Sequence, residues 1–299
     1  MLSALAAYRQ MKKPPIYHGM IAWLSSHSTS TEDFYRTPYP ENSLYRQYYD
    51  GACRRANSLG YRVKEYPLNK DDMTPERMSN ILIAQGVQGI IVPPLSSLGQ
   101  HINMRWELFS AVRFGFSLEK PQLSVISSAQ YRNSLIVVKK LQTLGYQRIG
   151  FFGSHEFDDR TDGNFTAGYR SALKKMPHSC HIPLLLTEEG ARLKDTLTRI
   201  RQWITEWKTD AVVCVTGMQD ELIQAGYHIP DDIAVALLTH NKGVKGFAGI
   251  DEQGYRTGSA AVDCTINMIH CGERGIPEIP FQMLIEGTWT DGPSAPPTR

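Results

Sequence analysis

Residues Leu141–Leu173 open Leu-Gln-Thr-Leu-Gly-Tyr-Gln-Arg-Ile-Gly-Phe-Phe-Gly, continue through a polar run from Ser154 to Asn164, and close Phe-Thr-Ala-Gly-Tyr-Arg-Ser-Ala-Leu. Gly145 marks the end of a helix, because glycine takes the left-handed turn after the last helical residue without strain. Arg148–Phe152 is then a short apolar strand, and the polar run is a loop at its carboxyl end. The following stretch, Thr166–Lys175, has helical character. In open α/β sheets, ligands bind outside the carboxyl ends of the strands. The loop Ser154–Asn164 is therefore the first place to look for a site.

The same alternation extends outward on both sides, which points to parallel βαβ units. Upstream, the spacing predicts strands at Tyr17–Leu24, Tyr61–Tyr66, Val87–Val92 and Gln122–Ile126. Between them fall helices at Ser43–Leu59, Pro75–Gln85 and Asn133–Leu144. The first of these helices repeats Leu44, Tyr48, Ala52, Ala56 and Leu59 on one face. Downstream, strands are predicted at Ala211–Val215 and Ile233–Leu238, and helices at Gly190–Trp207, Met218–Ala225 and Gly258–His270. Trp203 and Trp207 sit on an amphipathic helix and read as packing rather than ligand stacking. The proline-rich tail, residues 293–299, reads as disordered.

Composition narrows the function classes. The 299 residues suffice for two packed subdomains. With 32 basic against 30 acidic residues the net charge is only +2, and the one local basic cluster is Arg9, Lys12 and Lys13. That balance lacks the concentrated basic face of a nucleic-acid binder. No apolar run approaches the roughly 20 residues of a membrane span, and the amino terminus makes a poor signal peptide because its charges follow its short apolar piece. The five cysteines, without metal-ligand spacing, read as reduced and mostly buried thiols of a cytosolic protein.

Three further segments belong with the opening one. Leu2–Arg9 is a short Ala/Leu-rich helical run stopped by Pro14-Pro15 and followed by a strand. Ala225–Leu238 reads Ala-Gly-Tyr-His-Ile-Pro-Asp-Asp-Ile-Ala-Val-Ala-Leu-Leu, and Ile250–Val262 carries Gly258 and Ala261-Val262 ahead of the last long helix. In this order the four segments resemble the regulatory core of lactose-repressor-like (LacI/GalR family) transcription regulators, over nearly all of residues 1–292. The resemblance implies an α/β fold of two similar doubly wound parallel-sheet subdomains joined by three crossover segments, periplasmic-binding-protein-like, type I. On that pattern residues 1–15 are a hinge-helix remnant and linker. Residues 16–128 with 251–279 form an N-terminal subdomain, and 129–250 with 280–292 a C-terminal one, with a return crossing near Gly246–Asp251.

The resemblance also implies a cytoplasmic (bacterial) homodimer that binds a small-molecule effector, a sugar or sugar derivative, between the lobes. Operator DNA would be read through a helix-turn-helix headpiece that this chain does not show, with Leu5, Tyr8 and Arg9 of the hinge against the DNA. No cofactor, metal or membrane is expected. The alternative within the same fold is a periplasmic-type solute-binding protein for a small polar ligand.

Effector contacts fall to the strand-end loops: His27, Pro93, Ser128, Arg160, Thr161, Phe165, Thr216, Thr239 and His240, with Glu252 at the return crossing. This set is rich in hydroxyls, imidazoles and rings. It departs from the sugar-responsive pattern at three points. Phe165 stands where those proteins carry Arg, Thr239 where they carry Asp, and Thr216-Gly217 where they carry Asn-Asp. An Arg and an Asp suited to binding vicinal hydroxyls bidentately are thus gone, and Arg160 is the substitute within reach in sequence. No Gly-x-Gly-x-x-Gly, Walker, His-Glu-x-x-His or Gly-x-Ser-x-Gly signature occurs, and no nucleophile is paired with a base. The chain reads as a binder, not an enzyme.

Overall fold

The computed structural model describes residues 17–26, 43–68, 73–188, 190–240 and 244–298. The expected hinge residues Leu5, Tyr8 and Arg9 lie outside them, as does His27. The described chain forms two compact units. Residues 45–126 and 255–282, with the first strand, make one; residues 127–254 and 283–298 make the other. From residue 45 onward the described chain passes between units three times.

The first unit runs β1 (Gly19–Ser25), α1 (Leu44–Ser58), β2 (Tyr61–Pro67), α2 (Pro75–Ala84), β3 (Val87–Val92), β4 (Gln100–His101), β5 (Ser110–Phe114), β6 (Leu118–Lys120) and β7 (Ser124–Ser128), whose end enters the second unit. That unit continues with α3 (Gln130–Thr143), β8 (Ile149–Ser154), α4 (His155–Arg160), α5 (Asn164–Leu173), β9 (Leu185–Thr187), α6 (Leu193–Trp207), β10 (Ala211–Cys214), α7 (Gln219–Gln224), β11 (Ala234–His240) and β12 (Ala248–Asp251). Helix α8 (Gly254–Cys271) returns to the first unit, β13 (Gln282–Ile285) leaves it, and β14 (Thr288–Thr290) closes the second.

Two six-stranded sheets result, ordered β13-β7-β5-β3-β1-β2 and β14-β12-β11-β10-β8-β9; β4 and β6 form a separate parallel pair. In each six-stranded sheet the first strand lies inside the second, so that both repeat the 2-1-3-4-5 doubly wound order. The registers are parallel, as in Ala22↔Lys64 and Ala22↔Ile90 in one unit and Val212↔Gly150 and Val212↔Val235 in the other. Strand β14 runs antiparallel, against β12.

Strands buried on both faces read as continuous apolar runs, which is why β1, β3, β8, β10 and β11 are legible in the sequence. Successive side chains point to opposite faces. Phe151 joins a core with Val213, Ala236 and residues of α3 and α5, while Phe152 joins Val212, Val235 and Ile200 and Ile204 of α6 on the other side. In the first unit, Ala22, Leu24, Ile90 and Val92 pack on Met78 and Leu82 of α2. Gly168 has a packing reason: a Cβ there would strike the Tyr131 carbonyl oxygen and the Ser134 side chain of α3. Trp203 is buried and donates Nε1–H to the Pro183 carbonyl at 2.9 Å, as a packing residue does.

Several expectations need correction. The run after β8 is not a loop throughout. Ser154 accepts a hydrogen bond from the Phe157 N–H at 3.2 Å and caps the short helix α4. Ala248–Asp251 is not a crossing but strand β12, with Ala248 and Ile250 fully buried; the crossing follows residue 254. The tail is ordered through residue 298. Ser294 is buried and bridges the Ala248 N–H and the Val235 carbonyl, Tyr146 donates to the Pro296 carbonyl, and the Thr298 N–H reaches the Leu144 carbonyl. All five cysteines are free, but only Cys214 and Cys264 are buried, and Cys271 is exposed. Among the described residues, no helix is long and apolar enough to cross a membrane.

Candidate functional site

The 2-1-3 strand order creates a switch point between β1 and β3 in the first unit and between β8 and β10 in the second. At these points helices leave the sheet on opposite faces and open a crevice at the strand ends. Each unit therefore offers one set of strand-end residues.

In the first unit, β1 delivers Ser25 and Ser26, both buried. Ser26 Oγ accepts the Ser96 N–H at 2.8 Å, which fixes the loop after β3. Beside it lies a cavity of about 160 Å³, whose wall includes Ser26, Leu68, Thr74, Leu95, Gln100 and His101. Thr74 also caps α2, accepting the Arg77 N–H at 3.1 Å, with Pro75 in the first turn. His101 lies 3.3 Å from the Glu119 carboxylate. Pro93 is buried directly after β3 and is not part of this wall; Leu95 is. Gln100 and His101 were not anticipated, because a two-residue strand leaves no periodicity to read.

In the second unit, the ends of β10 and β11 are locked together. The Thr216 N–H donates to Thr239 Oγ1 at 3.1 Å, and the Thr216 hydroxyl donates to the Thr239 carbonyl at 2.5 Å. His240, half-buried, follows at the end of β11 and stands opposite Asp251 in the strand register. Arg160 is half-buried at the end of α4. Thr161 is buried, and its hydroxyl is spent on the Phe157 carbonyl at 2.9 Å. Phe165 is 1% exposed, stacked on Phe157 within the core. It stands behind the strand-end surface rather than on it.

Glu252, immediately after β12, is buried, near the Ser128 hydroxyl at the end of β7. Burial disfavours its charged form, and the neighbouring Asp251 charge adds to this. The Ser128 hydroxyl opposes both, and the carboxyl is pushed up to about 7. Ser128 in turn accepts from Asn133 Nδ2 at 2.7 Å, and Asn133 Oδ1 accepts the Gly287 N–H at 2.9 Å. Helix α3 begins at Gln130 rather than at Asn133, whose amide is fully buried.

Chemically, both sets offer hydroxyls, an amide, imidazoles and a carboxyl among apolar walls, which suits hydrogen bonding to a polar, largely neutral ligand. Among the described residues, no group of three or more His, Cys, Asp or Glu side chains is placed to hold a metal ion.

No family model and no curated protein matches the chain. Solved structures do. A complex of the transcriptional regulator CelR with cellobiose is similar over 97% of this chain and 89% of its own, with TM-score 0.64 and 15% identity. A LacI-family regulatory protein from Chloroflexus aggregans is similar over 92% and 98%, with TM-score 0.67 and 16% identity. A LacI-family regulator from Enterococcus faecium with bound ribose is similar over 94% and 100%, with TM-score 0.62 and 14% identity. The fold of this chain is that of LacI-family regulators, and the likeness spans nearly the whole of both partners.

Proposed function

We propose that the chain is the effector-sensing core of a transcription regulator, binding a sugar or sugar derivative through its strand-end residues. The observation that carries this reading is the coincidence of a fold like that of LacI-family regulators with hydroxyl- and imidazole-bearing residues near the carboxyl ends of the strands in each unit. Two of the similar structures hold cellobiose and ribose, which supports a saccharide-like ligand. Thr216, Thr239 and His240 at the strand ends of the second unit are assigned to it, and in the first unit Ser26, Gln100 and His101 line a cavity of their own. Ser128 and Glu252 support them, and Arg160 supplies the cation.

The mechanism is linkage. A ligand that binds one arrangement of the two units better than another shifts their equilibrium by that difference in affinity and no more. In a homodimer carrying DNA-reading headpieces, the shift sets the spacing of the two half-site readers and so the affinity for an operator. Binding without turnover suffices, and no cofactor is required. Isothermal titration with neutral mono- and disaccharides, sugar phosphates and uronates tests the reading. Saturable one-to-one binding with the ligand recovered unaltered is expected. Chemical conversion of the ligand would overturn it.

A further inference from the structure

Trp203 and Trp207 of α6 both read from the sequence as packing residues, and the fold separates them. Trp203 is buried, and its Nε1–H is spent on the Pro183 carbonyl. Trp207 is half-buried and forms one wall of a cavity of about 530 Å³ within the second unit. Leu173 at the end of α5, with Ile182, Pro183 and Leu184 ahead of β9, makes the rest of the apolar wall, and the exposed Arg170 of α5 stands beside it. Residues 181–184 run directly into β9, and Trp207 comes just before β10. The cavity is therefore at the amino-terminal ends of these strands. Thr216, Thr239 and His240 are at the carboxyl ends of β10 and β11, the opposite end of the same sheet.

The wall is held in place by its own hydrogen bonds. The Tyr169 hydroxyl lies 2.9 Å from the Ile149 carbonyl and 3.0 Å from the Ile182 carbonyl. His181 Nε2 donates to the Met176 carbonyl at 3.1 Å, and Arg148 Nε donates to the Trp207 carbonyl at 2.5 Å. A ligand thus meets groups that need little further ordering. The polar capacity left over is one-sided. Among the described residues, neither the Arg170 guanidinium nor the Trp207 indole N–H has a partner, and both are donors only. No Asp or Glu lines the cavity, and Asp210, three residues after Trp207, already accepts the Gln147 and Arg148 N–H groups. We propose that this cavity is a second ligand site, for a small carboxylate with an aromatic or branched apolar body. Arg170 takes the carboxylate, which a guanidinium matches in a two-bond fork. Trp207, Leu173 and Pro183 take the body. The volume falls within the range of about 300–1,000 Å³ usual for small-molecule sites. A neutral saccharide would leave the guanidinium without a counter-charge, so the site differs from the strand-end one in chemistry as well as in place.

Titration of the isotope-labelled whole chain with naphthylacetate, and with naphthylacetamide as its uncharged counterpart, tests the proposal by NMR. The readouts are the indole N–H resonance of Trp207 and the backbone amides of residues 170–184. Naphthylacetate should move these resonances saturably at millimolar concentrations or below and leave the amides of Thr216 and Thr239 where they are. Naphthylacetamide should bind at least about tenfold more weakly. Naphthylacetate should bind Arg170→Gln more weakly by the same factor, since a charge-assisted hydrogen bond is lost in both cases. Arg170 is exposed, and resonances elsewhere in the Arg170→Gln spectrum check that the fold is kept. Equal binding of the amide, unchanged binding to Arg170→Gln, no shift with naphthylacetate, or shifts confined to Thr216 and Thr239 would each overturn it. The outcome does not depend on the saccharide, because a chain that binds no sugar can still bind the carboxylate.

Discussion

Thr239 and Phe165 stand at two places where the sequence departs from the sugar-responsive pattern, and the fold gives them different work. Thr239 is half-buried at a strand end, and its Oγ1 accepts from the Thr216 backbone while keeping a proton to offer. Thr239→Val removes that donor, and the expected result is about tenfold weaker ligand binding, the worth of one hydrogen bond of roughly 1–1.5 kcal/mol, measured by titration calorimetry. Phe165 is a core ring packed on Phe157. Phe165→Ala should cost about 3–5 kcal/mol of stability through the cavity it leaves, read from chemical denaturation. The sequence placed both beside a strand end but could not tell them apart. A residue's position in a loop fixes which end of the sheet it is near, not whether it points to solvent or under the neighbouring helix.

Elements were legible where burial is two-sided or a face repeats. Val87–Val92 is read to the residue, and the long helices within a few residues of their ends. Strand β5 was missed because Arg113 interrupts its apolar run. The side chain is nonetheless buried, satisfied by the Leu118 and Leu123 carbonyls and Gln122 Oε1. Strands β13 and β14 were missed because exposed or half-exposed edge residues carry no apolar signal. Helix α4 is not legible in the sequence because five of its six residues are polar and none is fully buried. Its stability rests on the cap, so Ser154→Ala should lower unfolding stability by about 1 kcal/mol. The loss should be accompanied by faster exchange of the amides of residues 155–160. An unchanged exchange pattern would mean that packing, not the cap, holds α4.

At the scale of the whole molecule, the alternating pattern specified two parallel α/β arrays, and the repeated 2-1-3-4-5 order makes their strand ends the places proposed to bear the ligand. The link from Ser128 through Asn133 to Gly287 was illegible, because it joins residues more than a hundred positions apart through one amide. The central claim is that the folded chain binds a saccharide-like effector, and thermal unfolding against a panel of mono-, di- and deoxy-sugars, sugar phosphates, uronates and nucleobases tests it most directly. A ligand that binds only the folded state adds about 2.7 kcal/mol at a hundredfold excess over its dissociation constant. The account predicts a saturable rise in the midpoint with one class of sugar, diminished in Thr239→Val. A midpoint unmoved by every sugar in the panel would contradict it.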